Sequence, residues 1–344
     1  MSIKKTIILA CTLIVALFFL AACAGPAGQV GPAGPAGPVG PAGPAGPAGT
    51  NGTNPSAADL TCTQCHNDTT LISGPATSWA TSVHATGPAF AIAGNRAGCT
   101  GCHTGVGFME RTTAGITDPT KFTTVYPNPT RQDCRTCHQI HTTYTKADFS
   151  LRTAAAVPLF TIPGATFDGG KGNLCANCHQ PEAALPAAAD DGTIKVDSTH
   201  WGPHHGPEAG MMLGVGGTSD VTGTPSPHYA QVTDTCVACH MGGDAANHTY
   251  TPNVAYCIKC HPGAKNFDMN GAVTTMDAKI AAVKTALTNA GLLDKTGAIV
   301  VGSYPAAKAG ALWNYLLVTE DKSHGVHNMP YANSLMDAAL AALK

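Results

Sequence analysis

Cysteine and histidine recur along this 344-residue chain in one fixed arrangement. Two cysteines three positions apart are followed directly by a histidine. The blocks are Cys62-Cys65-His66, Cys99-Cys102-His103, Cys134-Cys137-His138, Cys175-Cys178-His179, Cys236-Cys239-His240 and Cys257-Cys260-His261. Thiols at that spacing can form thioethers with the two vinyl groups on one edge of a porphyrin. The histidine beside the second thiol then lies under the ring and ligates its iron from the proximal side. This is the attachment signature of c-type haem, so six copies imply six covalent haems.

Other uses of cysteine explain less. A pair of cysteines alone could be half of a zinc site or a redox dithiol, but neither requires a histidine directly after the second thiol. With 15 His in the chain, a given position is histidine about 4% of the time, so six chance coincidences are on the order of 10^-8 probable. Disulfides would account for paired cysteines and not for the histidines.

Each iron also needs a sixth ligand or an open position, and that choice separates an electron carrier from an enzyme. Nine histidines lie outside the blocks: His84, His141, His200, His204, His205, His228, His248, His324 and His327. Six are required for bis-histidine ligation throughout. His141 follows proximal His138 by three residues, so a shared helix would project it toward a neighbouring haem. His84 ends a short stretch of helical character that includes Trp79. His228 precedes the fifth block by eight residues, and His248 lies between the fifth and sixth. The stretch from His200 to Gly206 offers the sixth ligand, with His205 or His204 favoured over His200. Methionine is an alternative ligand that would raise a potential, with Met211, Met212 and Met241 in reach of the blocks.

These blocks, with the segments around His84, His141, His228, His248 and His327, resemble the multihaem c-type cytochromes of bacteria that respire metals and other extracellular acceptors. The resemblance runs from about Leu60 to Lys344. It implies a stacked chain of low-potential haems wrapped by short helices and long loops. It also implies other c-type cytochromes or extracellular electron acceptors as partners. In the Asp321–Asn328 segment, the histidine before the asparagine matches the family ligand, which selects His327 and leaves His324 a spare. The same segment recurs in pentahaem nitrite reductases, so a reductase of nitrite, hydroxylamine or a sulfur oxyanion is the main alternative. Those enzymes keep one iron open, frequently on a block ending in lysine, whereas all six blocks here end in histidine. A subunit of a polymeric cytochrome filament, with His324 ligating a haem of the next copy, is a second alternative. The expectation is an electron carrier and not an enzyme.

The elements that must position these groups divide the chain in three. Residues 1–22 begin with Lys4 and Lys5, continue through an apolar run and end in Leu20-Ala21-Ala22 before Cys23. That is the layout of an export signal, and the last four residues resemble the bacterial lipobox, which implies an acylated Cys23 at the mature N-terminus. Two or more acyl chains hold a protein stably at a membrane. In lipoproteins an aspartate after that cysteine usually signals inner-membrane retention, and Ala24 stands there, so an outer-membrane location is expected. Within 23–54, ten consecutive Gly-X-Y triplets run from Gly25 to Asn54. This collagen-like stalk is read as a single-chain polyproline-II tether, with a homotrimeric triple helix as the alternative. Either form is extended and reaches about 90 Å.

Residues 55–344 form the expected cytochrome domain. Its composition is 12% charged and 6% aromatic, with 39 Gly and 25 Pro, a poor recipe for a protein core and a reasonable one if porphyrins form the core. Removing Lys4 and Lys5 leaves 17 Lys+Arg of the original 19 against 21 Asp+Glu. With haem propionates added, the net charge falls to roughly −10 or below, which argues against nucleic acid as a partner. The blocks begin at irregular intervals, so no solenoid period exists. The last stretch, 263–344, carries no block and reads as a helical cap. Its helices are expected near 273–290, 305–318 and 330–343, with Ile280, Val283, Ala286 and Leu287 on one face of the first and Leu335, Ala339, Ala342 and Leu343 aligned on the third.

Overall fold

The computed structural model describes residues 70–242 and 247–344. The export segment, Cys23, the triplet stalk and the first block, Cys62-Cys65-His66, lie outside the described residues. The rest begins as a run of short helices: α1 (Thr70–Ala80), α2 (Val83–Thr86), α3 (Ala89–Ala93), α4 (Thr100–His103), α5 (Gly105–Thr113) and α6 (Cys134–Cys137). A minimal antiparallel pair follows, β1 (Val157–Pro158) with β2 (Thr166–Phe167). Then come α7 (Asn173–Ala176), β3 (Thr193–Val196), α8 (Glu208–Leu213), α9 (Pro227–Gln231), α10 (Cys236–His240) and α11 (Val254–Cys257). The chain ends in α12 (Ala272–Asn289), β4 (Gly302–Pro305), α13 (Ala306–Glu320) and α14 (Met329–Ala342). No helix among the described residues is long and apolar enough to cross a membrane.

The three terminal helices stand within two residues of their expected ends, because each is long enough for its apolar face to dictate its period. Met276, Val283 and Leu287 of α12, and Leu335, Met336 and Ala339 of α14, are buried. Between them α13 buries residues on every side, from Ala309 to Val318. Pro305 directly precedes α13 and also closes β4, which pairs antiparallel with β3, Thr193 opposite Pro305. This strand pair was not expected from the sequence: four residues a side carry too little period to read. Trp313 meets Trp201 edge-on at 5.3 Å and donates to the Gly216 carbonyl at 2.7 Å. A smaller core joins Val157, Leu159, Phe167, Ala209, Met212 and Leu213 with Ala176, which lies inside the fourth block.

The remaining segments lack a core of this kind. Among the described residues, no hydrophobic side chain between Leu213 and Met276 is buried, and before Val157 only Cys102, Phe108 and Phe122 are. Polar anchors hold these parts instead. Arg111, fully buried, donates to the carbonyls of Gly101 at 3.1 Å and Asn177 at 3.1 Å, and reaches Ile116 and Thr117 at 3.3 and 3.4 Å. Gly101 lies inside the second block and Asn177 inside the fourth, so one guanidinium ties two blocks together. A Cβ on Gly101 would come within 2.7 Å of the Arg111 Cδ.

Two substitutions separate these modes of support. Leu317→Ala removes a fully buried side chain of α13 and is expected to destabilise the cap by about 2–5 kcal/mol, read as an earlier thermal transition. Arg111→Met keeps the volume and removes the donors. Buried carbonyls left unsatisfied should cost about 2–4 kcal/mol, and limited proteolysis is expected to reach the 96–135 region before the cap.

Candidate haem iron sites

The five described blocks share one local geometry. The histidine N–H bonds back to the carbonyl of the first cysteine: His103 to Cys99 at 3.0 Å, His138 to Cys134 at 2.9 Å, His179 to Cys175 at 2.9 Å and His261 to Cys257 at 2.7 Å. In the fifth the whole block is α10. A single helical turn brings positions i, i+3 and i+4 to one side. Both thiols and the imidazole therefore face the same space. The ten cysteines concerned form no disulfides. Burial raises the thiol pKa of Cys99, Cys134, Cys137 and Cys239, that of Cys137 to about 12. Cys178 and Cys236 are shifted the other way, to about 7 and about 6, by hydrogen bonds from Cys102 and Cys175.

Each of the five block histidines faces one other histidine. Ring centroids lie 6.0 Å apart for His103 and His204, and 6.2 Å for His138 and His248. They lie 6.2 Å apart for His179 and His84, 6.3 Å for His240 and His327, and 6.3 Å for His261 and His228. A metal–nitrogen bond of about 2.0 Å and about 1.1 Å from nitrogen to ring centre put two trans imidazoles about 6.2 Å apart, centroid to centroid. All five pairs match that separation. Too far apart to touch, the rings are spaced for one iron between them.

Five of these ten rings are anchored at Nδ1. His138 Nδ1 bonds the Phe149 carbonyl at 2.7 Å, His240 Nδ1 that of Tyr250 at 2.8 Å, and His228 Nδ1 that of Val326 at 2.9 Å. A carbonyl only accepts, so Nδ1 carries the proton and Nε2 keeps its lone pair for a metal. Two others meet carboxylates: His179 Nδ1 lies 3.2 Å from Glu208 Oε2, and His327 Nδ1 lies 2.7 Å from Asp321 Oδ1. The charge of Glu208 raises His179 to about 9. Burial opposes protonation of His327, yet Asp321 raises it to about 9. His84 is pushed down to about 4 by burial and by His179, and His204 to about 4 by burial and by His103. Both are neutral imidazoles at pH 7, the ligating form.

The histidines of the 200–206 stretch are now distinguished. His204 faces His103, at a left-handed φ of 72°, with its Nε2 also 3.4 Å from Glu182 Oε2. His205 turns instead to Glu320, its side chain 64% exposed. His200 is exposed, beside Thr199. His324 pairs with Asp277. His141 does not share a helix with His138 as expected: α6 ends at Cys137, and His138 adopts extended backbone and bridges Leu151. His141 then sits in the following loop at φ 63°, stacked on Tyr144 at 5.7 Å. His84 likewise lies on a separate helix, α2, capped by Ser82, and not at the end of α1. Met211 and Met212 are packed in the apolar cores, and Met241 caps α10.

The blocks also touch one another. Cys102 Sγ lies 3.9 Å from the Asn177 carbonyl and Cys178 Sγ 3.9 Å from that of Cys102, so the second and fourth blocks are in contact. Thr235, next to Cys236, donates to the Gly169 carbonyl at 2.8 Å, and Lys171 meets Asp234 at 3.0 Å. Gly172 approaches so closely there that a Cβ would lie 2.0 Å from Thr235 Oγ1. The fourth block is thus held against the second and the fifth. Tyr250 serves three sites: its ring meets His84 at 4.7 Å and His248 at 6.4 Å, and its carbonyl anchors His240.

Among the described residues no group of three or more His, Cys, Asp and Glu could hold a bare metal ion. The imidazoles come in pairs beside two thiols, and such a pair with its two thiols would hold a covalently attached haem. Segments with no buried apolar core surround them, where the faces of porphyrins would supply one. The residues fit the group.

No family model matches the chain, and no curated protein matches it. Among solved structures it is similar to the outer cell wall cytochrome OcwA, at 23% identity and a TM-score of 0.51, over 78% of this chain and 50% of that one. The chain spans about half the length of that protein, and the two share a fold.

Proposed function

We propose that this chain is an electron-transfer protein carrying six covalently bound c-type haems, five of them on the described blocks and the sixth on Cys62-Cys65-His66. The five imidazole pairs carry the reading. His103 with His204, His138 with His248, His179 with His84, His240 with His327 and His261 with His228 each supply a proximal and a distal ligand. When bound, each haem supplies a one-electron ferric–ferrous couple.

The residues' part is to fill both axial positions and hold them still. Anchored Nδ1 atoms fix the ring planes, so the ligand set need not rearrange between oxidation states. With an imidazole supplied on each side, a bound haem would offer a substrate no open coordination position, which favours a carrier over a reductase. Contacts between the second, fourth and fifth blocks favour a connected path through the domain. The export segment, an acylated Cys23 and the triplet stalk would place this domain on a tether at the outer membrane. Its partners there would be other c-type cytochromes or an extracellular acceptor. That the similar protein OcwA is described as an outer cell wall cytochrome supports export of the chain.

The mass of the purified holoprotein is expected to exceed that of the mature polypeptide by six haems, with optical and EPR spectra showing low-spin iron only. A substantial high-spin fraction that binds carbon monoxide would overturn the carrier reading. His204→Ala is expected to convert one haem of the six to a high-spin, carbon monoxide-binding form, while His205→Ala leaves the spectra unchanged. The reverse result would reassign the ligand.

A further inference from the structure

The five pairs differ in what stands behind the imidazoles. His138, His240 and His228 are held by backbone carbonyls. Only at His179 and His327 does an acidic side chain take the Nδ1 proton's hydrogen bond in these pairs: Glu208 at 3.2 Å and Asp321 at 2.7 Å. Asp321 is buried, its side chain wholly inaccessible, and Glu208 is largely covered, at 22% side-chain exposure. Both are held in place: Glu208 opens α8, whose Ala209 N–H bonds the His179 carbonyl at 3.0 Å, and Asp321 also accepts from Ser323. The two sites are neighbours, since the fourth and fifth blocks meet at Gly172 and Thr235.

We infer that Glu208 and Asp321 are positioning residues that set the potentials of the fourth and fifth haems, holding these two adjacent sites at the low end of the domain's range. The inference rests on the bis-histidine reading above. An imidazole that donates to a carboxylate gains imidazolate character and becomes a stronger σ-donor, which stabilises ferric over ferrous iron. A neutral carbonyl accepts the same hydrogen bond without that charge. In a covered site the carboxylate's field is weakly screened, so the difference is felt at the iron. The fourth block also contacts the second, so the low-potential pair lies within the connected part of the array and not at an isolated end.

The test is a spectroelectrochemical titration of the full-length holoprotein with Glu208→Gln and Asp321→Asn. Each variant keeps a hydrogen-bond acceptor and removes the charge. Each is expected to make reduction of one haem at least tenfold more favourable, an upward shift of about 59 mV for one electron, and to move the EPR g-values of one low-spin species. Glu320→Gln, which alters the partner of unpaired His205, should leave the titration unchanged, and Glu208→Asp should restore most of the wild-type curve. Midpoints and g-values that stay put in both variants, or move downward, overturn the inference. If one variant loses haem, the other decides by the same criterion. A haem count below six or high-spin iron in the wild type would instead refute the underlying reading, so the two failures are distinguishable.

Discussion

An iron in a porphyrin plane takes one axial ligand from each face, and an attachment block can reach only one of them. The second must arrive from elsewhere in the chain. That requirement organises the described structure: each of the five block histidines faces a histidine carried by a different segment, and no pair joins a block to the histidine nearest it in sequence. His84 precedes the second block yet faces the fourth; His248 lies between the fifth and sixth yet faces the third. Each pair closes a long loop. Loop-closure entropy grows only slowly with length, whereas a coordinate bond on each side is strong, so long closures are tolerated where a metal holds them.

This explains why the apolar cores are so unevenly placed. The cap of α12, α13 and α14 folds as an ordinary helical unit, with Leu312, Leu317, Leu335 and Met336 excluded from water. Among its polar links to the preceding segments, Asn328 stands beside the ligating candidate His327. Asn328 caps α14 through Tyr331 N–H, while its amide donates to the carbonyls of Met211 at 3.0 Å and Thr224 at 2.9 Å. His327, one residue earlier, is therefore placed by the cap and presented to the fifth block. The segments without cores depend on buried polar anchors such as Arg111 and on whatever lies between the imidazoles.

Much of this was legible in the residues. The block pattern needs only a helical turn, which five residues specify locally. The cap helices carry their period over four turns or so. His84, His228, His248 and His327 stood out by their local context, and the structure turns each toward a block. The pairings were not legible, because they depend on how far each loop travels. The choice between His204 and His205 was equally closed to inspection: adjacent residues diverge only because His204 takes a left-handed φ. The helix assumed to carry His138 and His141 fails for a physical reason. After Cys137 the backbone is captured by the returning segment, with Gln139 N–H on the Ser150 carbonyl at 3.0 Å and Arg152 N–H on that of Cys137 at 2.7 Å. A helix of one turn cannot compete with such pairing.

Four of the nine positive-φ residues other than glycine among the described residues lie at these contacts. Left-handed conformations outside glycine cost roughly 1–2 kcal/mol each, and they persist only where surroundings over-determine them. His204, Asp234, Thr235 and Tyr250 all adopt positive φ. His204 must face His103. Asp234 and Thr235 dock the fifth block on the segment leading into the fourth. Tyr250 presents its ring to two distal histidines and its carbonyl to a proximal one. These positions surround the fourth block, the one also rooted in an apolar core through Ala176 and tied to the second block through Arg111. If the blocks hold haems as proposed, these contacts would keep the spacing and ring orientation of neighbouring sites fixed.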